Sequence, residues 1–420
     1  PFYFSSFAIL LPMVFTVGAW LLTGLPGFVA FRRSGIRAVW AIVLLAIPIW
    51  MYASSSWAFM AGSEHRMMIT ATAAATQFGI VVLFVLAAAS AGPPPKSVIT
   101  VLVIGLFWNS VLGGTQVALQ HSTGLGRLGE FKLSITQPGI SIIETNGIRW
   151  LRPYALMQHP NSLAPVFIVG LLTLVYGLTS RWWLTQFISF IVMVGGVWVF
   201  LLTFSRGGYL GFAAGSFALF PLLWRIKRAE QGLGIAVIVA AMIGLTFVLI
   251  YSPFLMARSG VGTTEPEPTE VYSVTERDLL TQLAYRAIDQ NILVGVGAAN
   301  FDWRASYYLF YDHSPVRGRY VHSTLLSIWA ELGVVGLILF VLAMLLGIET
   351  VLQLIRAKNG DIAGRAVLLA GFLALIIAGM FEYYPYTMLQ MQTLWWGILA
   401  IAIQPAPVQQ GQISSGVPEQ

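Results

Sequence analysis

The sequence predicts an all-α polytopic membrane protein, and two observations carry that prediction. The 420 residues are 57% hydrophobic and only 10% charged, whereas soluble domains carry roughly a quarter charged residues. Apolar runs of about 20 residues, the length needed to cross a ~30 Å hydrocarbon core as a helix, recur from end to end. This pattern excludes a soluble enzyme, a disordered chain and a secreted disulfide scaffold. The chain has 0 cysteines, and this absence also excludes a thiolate metal site and a cysteine nucleophile.

Eleven apolar runs are long enough to form membrane-spanning helices. They cover residues 5–29, 38–60, 67–91, 97–119, 162–179, 182–203, 207–224, 232–252, 324–347, 364–381 and 388–404. We therefore expect residues 1–404 to form a single transmembrane domain. We expect residues 405–420 to form a polar tail.

The charges of the connections predict how the spans are oriented. One set of connections is short and basic, and the positive-inside rule places it in the cytoplasm together with the tail. Its basic residues are Arg32, Arg33, Arg37, Lys96, Arg181, Arg225, Lys227, Arg228, Arg356, Lys358 and Arg365. Eleven spans with a cytoplasmic C-terminus leave Pro1 on the outer side, so we expect a twelfth span in the full chain; the alternative is a re-entrant or split first segment.

Two long segments, 120–161 and 253–323, fall on the outer side. Long loops in compact proteins are more often functional than idle. Both mix aromatic with charged residues, so we expect them to fold at the membrane interface. In the second segment, apolar residues at four-residue spacing predict an amphipathic helix over 277–291. The Gly- and Pro-containing stretch 260–270 is expected to form a flexible flap.

The predicted spans carry almost no ionisable residues, Glu331 and Glu349 being the exceptions. Channels and ion-coupled transporters place such residues inside their spans. Their scarcity favours an enzyme that acts at the outer surface on a membrane-presented substrate. Two alternatives stay open. A transporter of lipid-linked sugars predicts a charged path through the spans, and a non-catalytic scaffold predicts that the outer arginines and histidines tolerate substitution.

His322, where the second long segment meets a span, is the first candidate for chemistry. An imidazole whose ordinary pKa lies near neutrality can take a proton from an incoming hydroxyl group. The structural alternative is an interfacial histidine that anchors the helix. All five histidines of the chain fall on the predicted outer side, and this shared location favours a functional role for His322. They are His65, His121, His159, His313 and His322.

Arginines are the second set of candidates. Arg206 lies at a tight outward turn followed by two glycines, and its planar guanidinium suits a phosphate group. Arg277 begins the predicted amphipathic helix, and Arg286 lies later on that helix. The structural alternatives are an interfacial arginine whose charge reaches water and a surface charge paired with a neighbouring carboxylate.

The first long segment ends with further candidates. His159 and Asn161 flank Pro160 just before a span, and Arg149 and Arg152 lie upstream as possible ligands for an anionic headgroup or phosphate. As an alternative, Asn161 caps the following helix, since asparagine is a preferred N-cap residue. No cluster of carboxylates and histidines with metal-ligand spacing accompanies the arginines, so we expect no metal site. Fixed positive charge would then stabilise a leaving diphosphate.

Taken together, these motifs resemble the O-antigen ligase and polymerase superfamily. The resemblance rests on Arg206 in its Ser-Arg-Gly turn, on Arg277 eighteen residues before the Gly-Val-Gly of 295–297, and on His322 followed by Glu-Leu-Gly at 331–333. The His-Pro-Asn of 159–161 also resembles an element that precedes a span in that family, so the resemblance extends over about 149–333. The family often has proline and an aromatic residue where this chain has Ile292 and Thr281.

The resemblance implies a helical bundle like that of C-type glycosyltransferases, in the bacterial inner membrane. Such enzymes take a glycan from undecaprenyl diphosphate at the periplasmic face, without a metal or cofactor. The ligase attaches O-antigen to lipid A–core oligosaccharide in lipopolysaccharide biosynthesis, whereas related polymerases and protein O-oligosaccharyltransferases use other acceptors. The resemblance assigns the family's two arginines to Arg206 and Arg277 and its histidine to His322. Arg286 is the alternative for the second arginine.

Overall fold

A computed structural model of the protein describes residues 2–23, 35–58, 64–145, 147–224, 226, 229–259, 268–311 and 320–405. Within these ranges the chain is mostly helical, which confirms the predicted all-α membrane fold. The helices are α1 (Phe2–Leu22), α2 (Gly35–Ser54), α3 (Glu64–Ala91), α4 (Pro95–Leu119), α5 (Pro160–Leu178), α6 (Trp183–Leu202), α7 (Arg206–Leu223), α8 (Ala229–Ser259), α9 (Pro268–Gln290), α10 (Phe301–Tyr311), α11 (Thr324–Arg356), α12 (Ile362–Gly379), α13 (Tyr384–Thr387) and α14 (Leu389–Ile403). A short antiparallel hairpin of β1 (Ile142–Thr145) and β2 (Ile148–Leu151) lies between α4 and α5.

Each predicted span corresponds to one helix, namely α1 to α8, α11, α12 and α14. In the described ranges, eight helices are long and apolar enough to cross a membrane: α2 to α6, α8, α11 and α12. Helix α14 and the fully described part of α1, Leu10–Leu22, are shorter apolar segments. The count of eleven spans therefore stays a prediction.

The second outer segment differs from its prediction at one boundary. Helix α9 begins at Pro268, well before the predicted start at Arg277, so the last residues of the expected flap are helical. Its buried face contains Leu280, Ala284 and Ile288, as predicted. The other flap residues, 260–267, lie outside the described residues. So do Arg32, Arg33, Arg225, Lys227, Arg228, His313 and the tail residues 406–420.

The centre of the bundle is formed by α5 and α12, which bury most of their side chains. Helix α7 packs along α12 through Gly207, Gly211 and Gly215, which recur at four-residue spacing. A Cβ atom on Gly211 would lie 2.7 Å from the carbonyl oxygen of Ala374, so the two helix backbones approach closely. The same contact brings Gly207 against Phe381, so the start of α7 lies beside the end of α12.

Helix α11 is interrupted at Gly333, whose φ of 67° lies outside the helical range. The chain between α9 and α10 fits into this break. The backbone N–H groups of Val296 and Gly297 donate hydrogen bonds to the carbonyl oxygens of Ala330 and Glu331 at 3.0 and 2.8 Å. Since backbone groups inside a membrane protein need internal partners, this contact joins the second outer segment to α11.

The carboxylate of Glu331 holds the same junction from the side. It accepts hydrogen bonds from the backbone N–H groups of Ala299 and Phe301 at 2.6 and 3.3 Å. The hydroxyl group of Tyr386 donates a third bond at 2.8 Å. This buried carboxylate is therefore an anchor for the loop before α10 and for α13, which accounts for an ionisable residue within a span.

Gly333→Ala is expected to destabilise the protein. The positive φ disfavours a side chain, and an added Cβ would overlap the backbone of Leu293 and Val294. We expect a loss of about 1–3 kcal/mol in the free energy of unfolding, measured by thermal unfolding in detergent. Gly244→Ala in α8 is the matched control, because a Cβ there meets nothing within 4 Å. Equal melting temperatures for the two variants would contradict the proposed junction.

Candidate active site

A cavity of about 510 Å³ lies at the end of the bundle that carries the two long segments. The first outer segment, α9 and the residues that precede α11 and follow α12 meet there. The lining residues are Gly139, Ile140, Ser141, Ile142, Arg152, His159, Asn161, Arg258, Tyr272, Ser273, Glu276, Arg277, Leu280, Tyr320, His322, Tyr383 and Tyr384. Five of the eight residues predicted from the sequence are among them, so the tertiary structure brings together residues that lie far apart in the chain.

Arg152 is fully buried in the wall of the cavity. Its Nε donates a hydrogen bond to the carbonyl oxygen of Thr203, its Nη1 to the hydroxyl group of Ser141 and its Nη2 to Oδ1 of Asn161, each at 2.6 Å. Burial and the positive charge of Arg258 lower the pKa of Arg152 to about 9, so the guanidinium stays protonated at neutral pH. All three of these acceptors are neutral, and Glu382 is the carboxylate whose negative charge acts on the guanidinium.

His159 and Asn161 have separate roles at the start of α5. The Nδ1 atom of His159 accepts the backbone N–H of Asn161 at 3.0 Å and caps the helix. The capping role predicted for Asn161 is therefore wrong, because the helix begins one residue earlier, at Pro160. A neutral His159 ring must carry its proton on Nε2. Burial, and then the positive charges of Arg152 and other cavity residues, lower its pKa well below the ordinary value, so His159 is a neutral hydrogen-bond donor.

Glu382, just beyond α12, connects several of these groups and is only 5% exposed. Its Oε1 accepts a hydrogen bond from Nδ2 of Asn161 at 2.6 Å and lies 3.4 Å from Nη2 of Arg277. Its Oε2 lies 3.5 Å from Nδ1 of His322. One buried carboxylate thus contacts three residues that were predicted from the sequence.

Arg258 is the arginine at the end of α8, and it lines the cavity. Its carbonyl oxygen accepts a hydrogen bond from Nη1 of Arg206 at 3.1 Å. Arg206 is exposed at the first turn of α7, where the Ser205 hydroxyl accepts the backbone N–H of Gly208 at 3.2 Å. Arg206 therefore borders the site through Arg258 rather than lining it.

Tyrosines form the wall beside His322. The rings of Tyr320 and Tyr383 stack with their centroids 4.8 Å apart, and His322 meets Tyr383 edge-on at 5.3 Å. Burial raises the pKa of Tyr383 to about 12. At neutral pH its hydroxyl group is therefore protonated and able to donate a hydrogen bond.

Besides Arg206, two other predicted residues lie outside the cavity lining. The guanidinium carbon of Arg286 lies 4.2 Å from the ring centroid of Tyr308, a cation–π contact. Arg149 is exposed on β2, opposite Glu144 of β1. On α9, Arg277 is the arginine that lines the cavity; substrate-binding roles for Arg286 and Arg149 stay predictions.

Two residues of the site have no counterpart in the sequence analysis. Glu382 lies in a short connection between two predicted spans, where the signal in the sequence is a lone carboxylate beside Tyr383, Tyr384 and Tyr386. Arg258 follows a long apolar run and stands in the sequence as a single basic residue near the end of a span. Neither has a spacing to its partners that a sequence pattern would reveal.

The charges of the site favour an anionic ligand. Among the described residues, three arginines line the cavity, against Glu276 in the lining and Glu382 beside it. Among the described residues, no group of three or more histidines, aspartates and glutamates could hold a metal ion. The arrangement can bind an anionic group through fixed guanidinium groups and place the imidazole of His322 next to it.

Comparison with known proteins agrees with this chemistry. Residues 188–341 match the family model described as O-antigen ligase. The matched segment contains Arg206, Arg277 and His322, whereas Arg152 and Glu382 lie outside it. No curated protein matches the chain. The match supports the resemblance seen in the sequence: residues 188–341 of this membrane-embedded chain are similar to the O-antigen ligase family.

Proposed function

We propose that the protein is a metal-independent, inverting glycosyltransferase. It joins an O-antigen glycan, carried on undecaprenyl diphosphate, to the lipid A–core oligosaccharide in lipopolysaccharide biosynthesis. The observation that carries the proposal is the convergence of His322 with three arginines in one cavity. The O-antigen ligase match over 188–341 supports the same reaction class.

The arginines are suited to the diphosphate of the donor. A diphosphate diester carries roughly two negative charges at neutral pH. The lining arginines outnumber the carboxylates Glu276 and Glu382, and Arg206 adds a positive charge at the border of the site. Because a guanidinium fork binds phosphate oxygens bidentately, these arginines hold the diphosphate and stabilise it as it leaves.

His322 acts as the general base in this mechanism. The oxygen of the acceptor hydroxyl forms a bond to the anomeric carbon of the donor, on the face opposite the diphosphate. The bond between that carbon and the phosphate oxygen breaks, and its electron pair stays with the diphosphate. The hydroxyl proton passes to His322. The products are the joined glycan, with inverted configuration, and undecaprenyl diphosphate.

The cavity is proposed to face the periplasm, with the C-terminus in the cytoplasm. Helices α11 and α12 each carry a basic residue, Arg356 or Arg365, at the end away from the cavity. The positive-inside rule assigns those ends to the cytoplasm. Donor lipid would then reach the cavity from the outer leaflet of the inner membrane.

Related functions differ in the acceptor or in the absence of chemistry. A polymerase would join the glycan to another lipid-linked glycan, and a protein O-oligosaccharyltransferase would join it to a hydroxyl group on a protein. A transporter of lipid-linked sugars is less favoured, because Glu331, the buried acid within α11, is engaged by Ala299, Phe301 and Tyr386.

The acceptor is tested with purified protein, undecaprenyl diphosphate-linked glycan and lipid A–core, in the presence of EDTA. We expect the joined product. Growth of the glycan chain or labelling of a protein would keep the site and replace the acceptor. A requirement for added metal would contradict the metal-independent mechanism. Movement of the lipid-linked glycan across the membrane of vesicles that contain the protein, without any glycosyl transfer, would establish the transporter instead.

His322→Ala is expected to lower kcat by roughly 10²–10⁴-fold, because the general base is lost. Donor binding should persist, since the arginines are unchanged. Steady-state kinetics and a donor-binding assay measure the two effects separately. His65→Ala is the matched control, because His65 is exposed on α3 and does not line the cavity. Full transfer activity in His322→Ala would refute this role.

Arg277→Ala is expected to raise the Kd for the lipid diphosphate at least about tenfold, the equivalent of ~1.4 kcal/mol. Its guanidinium lines the cavity, whereas Arg286 on the same helix contacts Tyr308. Arg286→Ala therefore serves as the matched comparison and should bind the donor nearly as well as the unchanged protein. A larger loss of donor affinity in Arg286→Ala than in Arg277→Ala would assign the role of the family's second arginine to Arg286.

A further inference from the structure

We propose that Glu382 is a positioning residue for the transfer reaction. It accepts the Nδ1–H of His322, so that Nε2 is the atom that takes the proton of the acceptor hydroxyl, and it holds Arg277 beside the same centre. This inference rests on the glycosyl transfer proposed above. Glu382 lies outside the segment 188–341 that matches the O-antigen ligase family.

The two oxygens of Glu382 face two different parts of the site. Oε2 lies 3.5 Å from Nδ1 of His322, and Oε1 lies 3.4 Å from Nη2 of Arg277. Catalytic hydrogen bonds are often long in the absence of substrate and shorten when it binds. In an imidazole ring whose Nδ1 donates to a carboxylate, the lone pair is on Nε2, and His322 lines the cavity that the acceptor enters.

Asn161 determines the position of the Glu382 side chain. A guanidinium can only donate, so Arg152 bonds to Oδ1 of Asn161, and the amide Nδ2 then donates to Glu382. The carbonyl oxygen of Glu382 accepts a further bond from the hydroxyl of Thr324 at 2.7 Å. Because Thr324 is two residues beyond His322, this bond joins Glu382 to the segment that carries the base.

A carboxylate at Nδ1 assists a histidine base in two ways. It selects the tautomer with its lone pair on Nε2, and it stabilises the imidazolium that forms when the hydroxyl proton arrives. The proton moves from the acceptor oxygen to Nε2, the Nδ1 proton stays on the ring, and Glu382 remains ionised. An amide in its place would provide no negative charge.

The shared carboxylate also fixes the position of the base relative to the group that binds the leaving diphosphate. An inverting displacement needs the nucleophile and the leaving group on opposite sides of the anomeric carbon, in a fixed geometry. Glu382 contacts both His322, which acts on the nucleophile, and Arg277, which binds the diphosphate. Both groups are thus held by one buried anchor.

The surroundings of His322 single out this carboxylate. In the described part of the chain, Glu382 is the one carboxylate that lies within ion-pair distance of His322. The other titratable groups that line the cavity are Arg152, Arg258, Arg277, His159, Glu276, Tyr272, Tyr320, Tyr383 and Tyr384. The arginines are cationic, and Tyr383 is protonated at neutral pH. Neither kind of group can take the place of the carboxylate beside His322.

A double-mutant cycle tests the proposal on the purified protein, with undecaprenyl diphosphate-linked glycan as donor and whichever acceptor the unchanged protein uses. The variants are Glu382→Gln, His322→Ala and the combination. We expect Glu382→Gln to lower kcat by about 100-fold, as losses of such orienting partners do, and to leave the KM for the acceptor within about threefold. In the His322→Ala background it should cause a much smaller further loss, because the part of its effect that acts through His322 is already gone and only its contact with Arg277 remains.

Two controls separate positioning from folding. Glu382→Asp retains the charge and should recover part of the kcat lost in Glu382→Gln. Glu349→Gln makes the same change at an exposed residue near the opposite end of α11 and should behave as the unchanged protein. If Glu382→Gln fails to fold, as shown by its melting temperature, the cycle is run with Glu382→Asp, and the same dependence on His322 is expected.

Two results would overturn the inference: full kcat in Glu382→Gln, or an equal loss of kcat with and without His322. The second result would show that Glu382 acts independently of the histidine. Transfer by the unchanged protein together with either result would refute only the role of Glu382. No transfer to any acceptor by the unchanged protein would refute the proposed function itself.

Discussion

The site depends on one buried hydrogen-bonded series, from Arg152 through Asn161 to Glu382. Asn161 and Glu382 are 221 positions apart in the chain. In surroundings of low dielectric constant, hydrogen bonds to charged groups are strong, and a buried charge that loses its partner is costly. Arg152 also donates to Thr203, just before α7. The series therefore holds the first outer segment, α5 and the end of α12 in one arrangement around the cavity.

Close packing within the bundle makes this series possible. The glycines of α7 let its backbone approach α12, which places Gly207 against Phe381, the residue before Glu382. At the break in α11, the carbonyl groups of Ala330 and Glu331 are satisfied by the chain that follows α9. Irregular backbone inside a membrane protein is tolerated where the protein itself supplies such partners. The second outer segment is thereby held over the cavity.

The two histidines of the cavity lie in different electrostatic surroundings. The Nδ1 atom of His159 caps a helix, and burial and nearby arginines keep the ring neutral. His159 is therefore suited to donate a hydrogen bond. His322 has a carboxylate at Nδ1, which suits it to accept a proton at Nε2. Residues of one type thus differ in chemistry because their Nδ1 partners differ, one a backbone donor and the other a carboxylate acceptor.

The sequence by itself determined the helical membrane fold and the amphipathic face of α9, because hydropathy and periodicity are local properties of the chain. Its resemblance to a family also singled out His322 and Arg277, which the structure places together. Only the tertiary structure decided that Glu382 and Arg258 join them, that His159 rather than Asn161 caps α5, and that Arg206 borders the cavity. Such contacts arise where distant helices pack, and the spacing of residues along a chain carries no record of which helix ends will meet.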